Sequence, residues 1–464
     1  MQRLIVSLMV APLLTGCWAI PEGFDWVTGF DSPGGPDIGE GGETEAGPEP
    51  TGGEACVAAV LPAPAKRHSP WRMVASPDGT LYVAGSNLAD SPAGVLPGCE
   101  EALEGPGGFV AALAPDGSCS AISLLPGGDY FDIAIQGEQV VAVGRLGDDD
   151  TSEAYMQVLD AGLAPVVDHT LADGARADGV AALGDGRWGV VGRCAAGSLY
   201  AEMTPGYQPE QTCHPVGETS EGSSIVADIP GDTIYLAGRY TDAPTIKDGE
   251  LAGTNHVWLK SLPLDPALTP AERLADPAAK QRLIPAGTSV GPRLAIAGER
   301  LVIADSSRGI QPLFPAADLV DDCQAVVGWL PKQADLAGQG EAIWLNPEGD
   351  LCNLWIHDLV ADGDEVLITW STATSFWISG DPGVHDTGTT KLTSFVGRVS
   401  PEVGALSYQA NPLAAGEVSR HAVVYPRCGG AAWVAYRTGS GADYANGQEQ
   451  YETSETMRFW APPL

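Results

Sequence analysis

Four arginines recur at one place in a repeated phrase. Arg145, Arg193 and Arg239 each follow the glycine that ends a strand-like run, and Arg437 stands at the matching end of VAYR. A guanidinium offers a planar fork of donors that fits a carboxylate or a phosphate. In a chain with 24 Lys+Arg against 60 Asp+Glu, four arginines at equivalent positions depart from the background. They form either an anion-binding arc or four solvated partners of local Asp and Glu. The loop 372–391 should overhang the same face. Its Phe376, Trp377 and His385 are contact residues or pack the loop down.

Residues able to do covalent chemistry are sparse. Gly287-Thr288-Ser289-Val290-Gly291 matches G-x-S-x-G, but a nucleophile elbow needs a following helix, and Pro292 and a strand-like run follow. The histidines (68, 169, 214, 256, 357, 385, 421) form no H-E-x-x-H and no close pair. Asp148-Asp149-Asp150 and Asp362-Gly363-Asp364-Glu365 lack EF-hand spacing and read as polar turns. His357 and Asp358 are adjacent, and a regular strand turns adjacent side chains to opposite faces. No phosphate-cradling loop or dinucleotide fingerprint occurs. The sequence assigns no catalytic residue and implies no cofactor, which favours a non-enzymatic module.

The elements that position these residues are short strands. Fifty-nine Gly and 37 Pro argue against long helices, and Val/Ile/Leu/Tyr/Trp runs between turn signals argue for all-β structure. One phrase, a run, a turn and a second run ending in small residues, recurs seven times. It stands at 72–86 (RMVASPDGTLYVAGS), 131–145, 178–193 and 223–239, and more weakly at 293–306, 355–371 and 420–437. A third run follows each pair, as in 109–114 or 256–262, and a fourth usually follows that. Four short antiparallel strands per unit is a β-propeller blade, and stacking supplies the cover that one blade lacks. Two β-sandwiches are the alternative. The final copy ends after its third run, and 55–62 (ACVAAVLP) resembles 118–126 (SCSAISLLP). The N-terminal strand should therefore complete the last blade and remove a sheet edge.

With the stretch 232–264 (DTIYLAGRYTDAPTIKDGELAGTNHVWLKSLPL) as its best match, the chain resembles bacterial seven-bladed β-propeller repeat proteins. Asp305, Trp370 and Tyr436 depart from that pattern, standing where its glycine is expected. Propellers bind proteins, peptides or glycans on their loop faces, and the fold alone selects none of these. A hydrolase or lyase acting on a glycan or another polymer would need carboxylates or His converging on the inner strands. A purely structural envelope role is a third reading.

The amino terminus, MQRLIVSLMVAPLLTGC, has a basic start, a short apolar run and small residues before Cys17. That is an export signal, and its end resembles the lipobox of bacterial lipoproteins. The resemblance implies cleavage before Cys17, lipidation of its thiol, and a membrane anchor. Trp18, in place of Asp, favours the outer membrane, with the chain facing the periplasm or the cell exterior. Residues 17–54, rich in Gly, Pro and Glu, should be an extended acidic tether, leaving 55–464 as the propeller domain.

The net charge of −36 disfavours nucleic acid as a partner, and a monomer is expected. Setting Cys17 aside leaves eight cysteines and no C-x-x-C, which points to disulfides formed outside the cytoplasm. In the propeller frame the pairs are Cys99–Cys119, Cys194–Cys213, Cys323–Cys352 and Cys56–Cys428.

Overall fold

The computed structural model describes residues 65–464, except residue 67 and parts of the loops. The loop stretches left out include most of 88–105, 148–151, 242–254, 309–323, 348–353, 386–391, 412–416, 427–431 and 441–455. Cys17, the stretch 17–54, the strand expected at 55–62, Asp148-Asp149-Asp150, and Cys56, Cys323, Cys352 and Cys428 lie outside the described residues.

The chain folds as an all-β propeller of seven blades, mostly four-stranded and antiparallel. The first strands are His68–Ala75, Gly128–Gln136, Gly174–Gly184, Thr219–Asp228, Thr288–Ser289 with Arg293–Ala297, Trp355–Asp362, and Glu417–Pro426. Each pairs with the second strand of its own blade, which pairs with the third, and the third with the fourth. Position in the blade explains the sequence pattern. The second strand Leu81–Asn87 is buried at every residue, because neighbouring blades cover both faces. The outer strand Pro165–Leu171 is largely exposed. Continuous apolar runs thus mark middle strands, and broken ones mark the perimeter.

The core is a ring of apolar layers, one between each pair of adjacent blades. Tyr82, Val110, Tyr130 and Ile133 fill the layer between blades 1 and 2. Leu367 and Val396 of blade 6 meet Ala422 and Val424 of blade 7. Met73 and Phe109 of blade 1 meet Val423, Met457 and Phe459 of blade 7, which closes the ring. The strand that completes blade 7 is Ala65–Lys66, paired antiparallel with Met457 and Thr456. Cys99 joins Cys119 within blade 1, and Cys194 joins Cys213 within blade 3, with Cα separations of 5.5 and 6.2 Å.

Two features depart from the sequence-based picture. A short helix, Pro270–Ala275, interrupts blade 4 before its outer strand; Thr269 caps it, Pro270 opens it, and Glu272 reaches back to complete a capping box. Its Arg273 is fully buried and bonds Glu202 of blade 3 at 2.7 and 3.2 Å, so the helix clamps two blades together. The second feature is the loop after Thr372. It forms a hairpin, Phe376–Ile378 with Val384–His385, that pairs with the outer strand Glu341–Pro347 of blade 5. The physical cause is an aromatic nest in blade 6. Phe376 is buried against Trp370, Phe395 and Tyr408, with ring centroids 5.3–6.0 Å apart.

Candidate functional site

The first strands line the propeller axis, and they share one irregularity. In blades 1, 2, 3, 4 and 6 a β-bulge inserts one extra residue: Trp71, Phe131, Asp178, Ser223 and His357 respectively. Blade 7 shifts register between Arg420 and Val423. Bulges re-aim side chains and break the two-residue alternation of a strand.

The bulges explain the glycine of the repeat. Gly144, Gly192 and Gly238 each face the bulge from the second strand. A Cβ there would lie 1.8–2.0 Å from the carbonyl oxygens of Asp129, Arg176 and Glu221. In blade 4 the same gap admits Trp258, whose Nε1 donates to the Glu221 carbonyl at 3.1 Å. Blade 6 inverts the arrangement: Trp370 occupies the glycine position and stacks on Phe395 at 5.3 Å.

The residue after each of these glycines is the recurrent arginine, and register fixes what it faces. Arg145 lies opposite Asp129, Arg193 opposite Arg176, Arg239 opposite Glu221, and Arg437 opposite Arg420. Arg145 binds Asp129 at 2.8 Å, and Arg239 binds Glu221 at 2.5 Å. Arg176 binds Asp178 at 2.7 Å and reaches Glu221 at 3.4 Å. The guanidiniums of Arg145 and Arg176 both lie 5.7 Å from the centre of the Phe131 ring, a cation–π arrangement. Trp71 meets Phe131 edge-on at 5.7 Å, while its indole N–H donates to Ser86 at 2.7 Å. Arg193 and Arg437 are buried. Arg145 and Arg239 are thus each paired with a local carboxylate, and Arg145 and Arg176 flank Phe131, which Trp71 also meets.

Deeper in the channel a second layer crosses the axis. Arg72 of blade 1 reaches past blade 7 to bond Asp358 of blade 6, and its Nε lies 3.4 Å from Asp132 of blade 2. Each of these carboxylates also accepts a backbone N–H from the next blade. Asp132 takes that of Val180 at 2.9 Å, and Asp358 that of Val424 at 3.0 Å. Arg293 of blade 5 acts on Asp132 from across the ring. Ion pairs through Arg72 thus tie the first strands of blades 1, 2 and 6 together.

Burial sets the titration of these groups. It raises Asp132 above the ordinary carboxylate range, against the opposing charge of Arg72. It raises Asp178 likewise, against Arg176, with Glu221 adding repulsion. Burial would also raise Glu221, but Arg176 and Arg239 more than offset it and hold Glu221 low. Burial, then repulsion from Arg176, lowers Arg193. Arg72 is disfavoured by burial yet held above its usual value by Asp358 and Asp132.

The remaining candidates lie elsewhere. His385 sits at the perimeter, 3.1 Å from Asp381 and 2.6 Å from the Tyr408 hydroxyl. Trp377, beside it on the hairpin, is 37% exposed. Ser289 of the G-x-S-x-G match is buried and donates to Asp305 at 3.0 Å. Asp362 and Glu365 are both held by Arg398, at 2.6 and 2.9 Å. Among the described residues, no three His, Cys, Asp or Glu side chains group closely enough to hold a metal ion.

Sequence reasoning missed Arg72, Asp132, Arg176, Asp178 and Glu221. Their signal was present one strand earlier: each stands in a first strand whose second strand carries the G-R pair or its counterpart.

No protein-family model matches the chain, and no curated protein does. Several solved structures are similar to it at low identity. The crystal structure of RRP9 WD40 repeats is 10% identical, with a TM-score of 0.46, over 86% of this chain and 99% of that one. The Neurospora crassa Pan2 WD40 domain is 8% identical, with a TM-score of 0.44, over 85% and 90%. A mutant Synechocystis apocarotenoid oxygenase is 12% identical, with a TM-score of 0.40, over 88% and 97%.

Proposed function

We propose that this chain is a lipid-anchored, extracytoplasmic binding propeller that captures its ligand at the channel mouth. One observation carries the reading. Arg145, Arg176, Arg193 and Arg239 gather with Phe131 and Trp71 at one end of the axis, in a chain whose net charge is −36. Arginines and aromatic rings in a partly desolvated concavity are the residue types that dominate recognition. The anchor rests on the lipobox-like segment ending at Cys17, and the eight further cysteines fit an oxidising compartment.

Two measurements test this reading. Cys17→Ser should abolish incorporation of labelled palmitate and release the protein from membranes; an unchanged membrane fraction counts against the anchor. A panel of small acids, oligosaccharides and peptides should contain a ligand whose binding is lost in Arg176→Met while the circular dichroism stays native. A panel without any ligand, or a ligand indifferent to Arg176, removes the mouth as the binding site.

A second reading, hydrolysis or lysis of a polymer, draws on Asp132, Asp178, Glu221 and Asp358. They converge on the inner strands, and two of them have raised pKa values suited to a general acid. Every one of them is engaged by arginine, which favours capture over turnover. Asp178→Asn and Asp132→Asn should leave polymer breakdown at background alongside wild type. Turnover by wild type that either variant abolishes would reverse the order of the two readings.

A further inference from the structure

The blade 6 hairpin ends in a hydrogen-bonded chain of three titratable side chains. Tyr408 stands on the outer strand Ala405–Ala410 of blade 6. Its hydroxyl lies 2.6 Å from Nδ1 of His385, and Nε2 of the same ring lies 3.1 Å from Asp381. A neutral imidazole has one nitrogen that donates and one that accepts, and a carboxylate only accepts. The two partners therefore select one tautomer. Nε2–H turns to Asp381, and the bare Nδ1 accepts the hydroxyl proton of Tyr408. Burial, with the charge of Asp381 adding to it, raises the Tyr408 pKa above its ordinary value, so the phenol keeps its proton at neutral pH.

Other described tyrosines meet poorer bases. The hydroxyls of Tyr82, Tyr235 and Tyr425 donate to the backbone carbonyls of Ala161, Lys332 and Ala75, and that of Tyr130 to the side-chain amide of Gln157. An amide oxygen accepts a hydrogen bond but does not take up a proton near neutral pH. Tyr200 donates to the Glu202 carboxylate, but that group is buried and also held by Arg273.

The aromatic nest fixes the Tyr408 ring. Its centroid lies 5.7 Å from those of Trp370 and Phe376 and 6.0 Å from that of Phe395. His385 is held likewise, stacked on Phe376 at 5.4 Å. Proton donor and acceptor are thus positioned before any reaction.

An oxidised phenol is a strong acid, so a tyrosine gives up an electron readily where its proton has a base to receive it. We infer that Tyr408 is a redox-active tyrosine, with His385 as its proton acceptor and Asp381 as the residue that positions His385. A one-electron oxidant in the surrounding solution, such as a carbonate radical, takes one electron from Tyr408 and is reduced to carbonate. The Tyr408 O–H bond breaks and its proton passes to Nδ1 of His385. A neutral tyrosyl radical remains beside an imidazolium that faces Asp381. Trp370, fully buried and in edge contact with Tyr408, is the next oxidisable ring behind it. An electron lost from Trp370 is replaced from Tyr408 by the same step.

The test uses the full-length protein with photogenerated ruthenium(III) tris-bipyridine as the oxidant. Transient absorption and freeze-quenched electron paramagnetic resonance follow the tyrosyl radical. The wild-type yield should exceed that of Tyr408→Phe, which keeps the packed ring and loses only the hydroxyl. His385→Gln keeps a hydrogen-bond acceptor but no base, and should slow formation of the Tyr408 radical by about tenfold or more. Asp381→Asn should slow it less, because the proton acceptor remains. Near-ultraviolet circular dichroism, which reports the aromatic nest, should stay native in all three variants. Wild-type radical formation should slow in deuterium oxide, since proton and electron leave together. A Tyr408→Phe protein with the wild-type yield, a His385→Gln protein with the wild-type rate, or a wild-type rate indifferent to deuterium would each overturn the assignment.

Discussion

At the scale of single residues, the blade motif is a steric contract between a glycine and a bulge. At Gly144 a Cβ would sit 1.8 Å from the Asp129 carbonyl oxygen, a backbone atom that cannot swing aside. Gly144→Ala should cost roughly 2–4 kcal/mol, since the bulge must shift or flatten; urea unfolding measures it, and a change within about 0.5 kcal/mol would refute the steric account. A second residue, His214, sets acid sensitivity. Burial, with a smaller contribution from Lys260, lowers it to about 4 from 6.5. The native state thus keeps His214 neutral while the unfolded chain protonates, so its stability is lost as pH falls from about 6.5 to 4, at up to about 1.4 kcal/mol per pH unit. His214→Asn should flatten the stability curve across that window. A parallel curve, offset but equally steep, would assign the acid loss to other groups.

At the scale of elements, the reach of sequence reading depended on burial. Second and third strands are covered on both faces, so their residues form unbroken apolar runs such as LYVAGS, FVAALA and YLAGR, and these were legible. First strands carry the bulges, and a bulge is invisible to a two-residue alternation. His357 and Asp358 look like neighbours on opposite faces. The bulge at His357 instead lets its ring meet Ser371 at 2.6 Å while Asp358 points to Arg72. The same blindness hid Arg176 and Asp178, which bond each other two positions apart across a bulge. The helix after Thr269 had a readable cap in Thr-Pro-Ala-Glu, masked by its brevity within a β-rich chain. The blade 6 hairpin could not be read as a fifth-blade edge, because its anchor is tertiary: Phe376 inserted among Trp370, Phe395 and Tyr408. Phe376→Ala should cost about 3–5 kcal/mol and speed amide exchange in Glu341–Pro347, whose edge the hairpin covers. Unaltered exchange there would mean the hairpin does not hold that edge.

At the scale of the molecule, stability is shared among seven interblade layers, of which the one between blades 7 and 1 closes the ring. Closure rests on the packing of Met73 and Phe109 against Val423, Met457 and Phe459, plus the two-residue pairing of Ala65–Lys66 with Met457 and Thr456. Deleting residues 1–67 should leave Thr456–Trp460 as an open edge. The shortened protein should unfold at lower urea and self-associate on size-exclusion chromatography; a monomer of native midpoint would show that packing alone closes the ring. The short pairing has a mechanical meaning as well. Ala65–Lys66 is held to Thr456–Trp460 by two residue pairs, so tension applied at Ala65 loads those two pairs first. A tug there strains the seam before it strains the seven layers. The ring carries a built-in weak link at the seam where Ala65–Lys66 meets Thr456–Trp460.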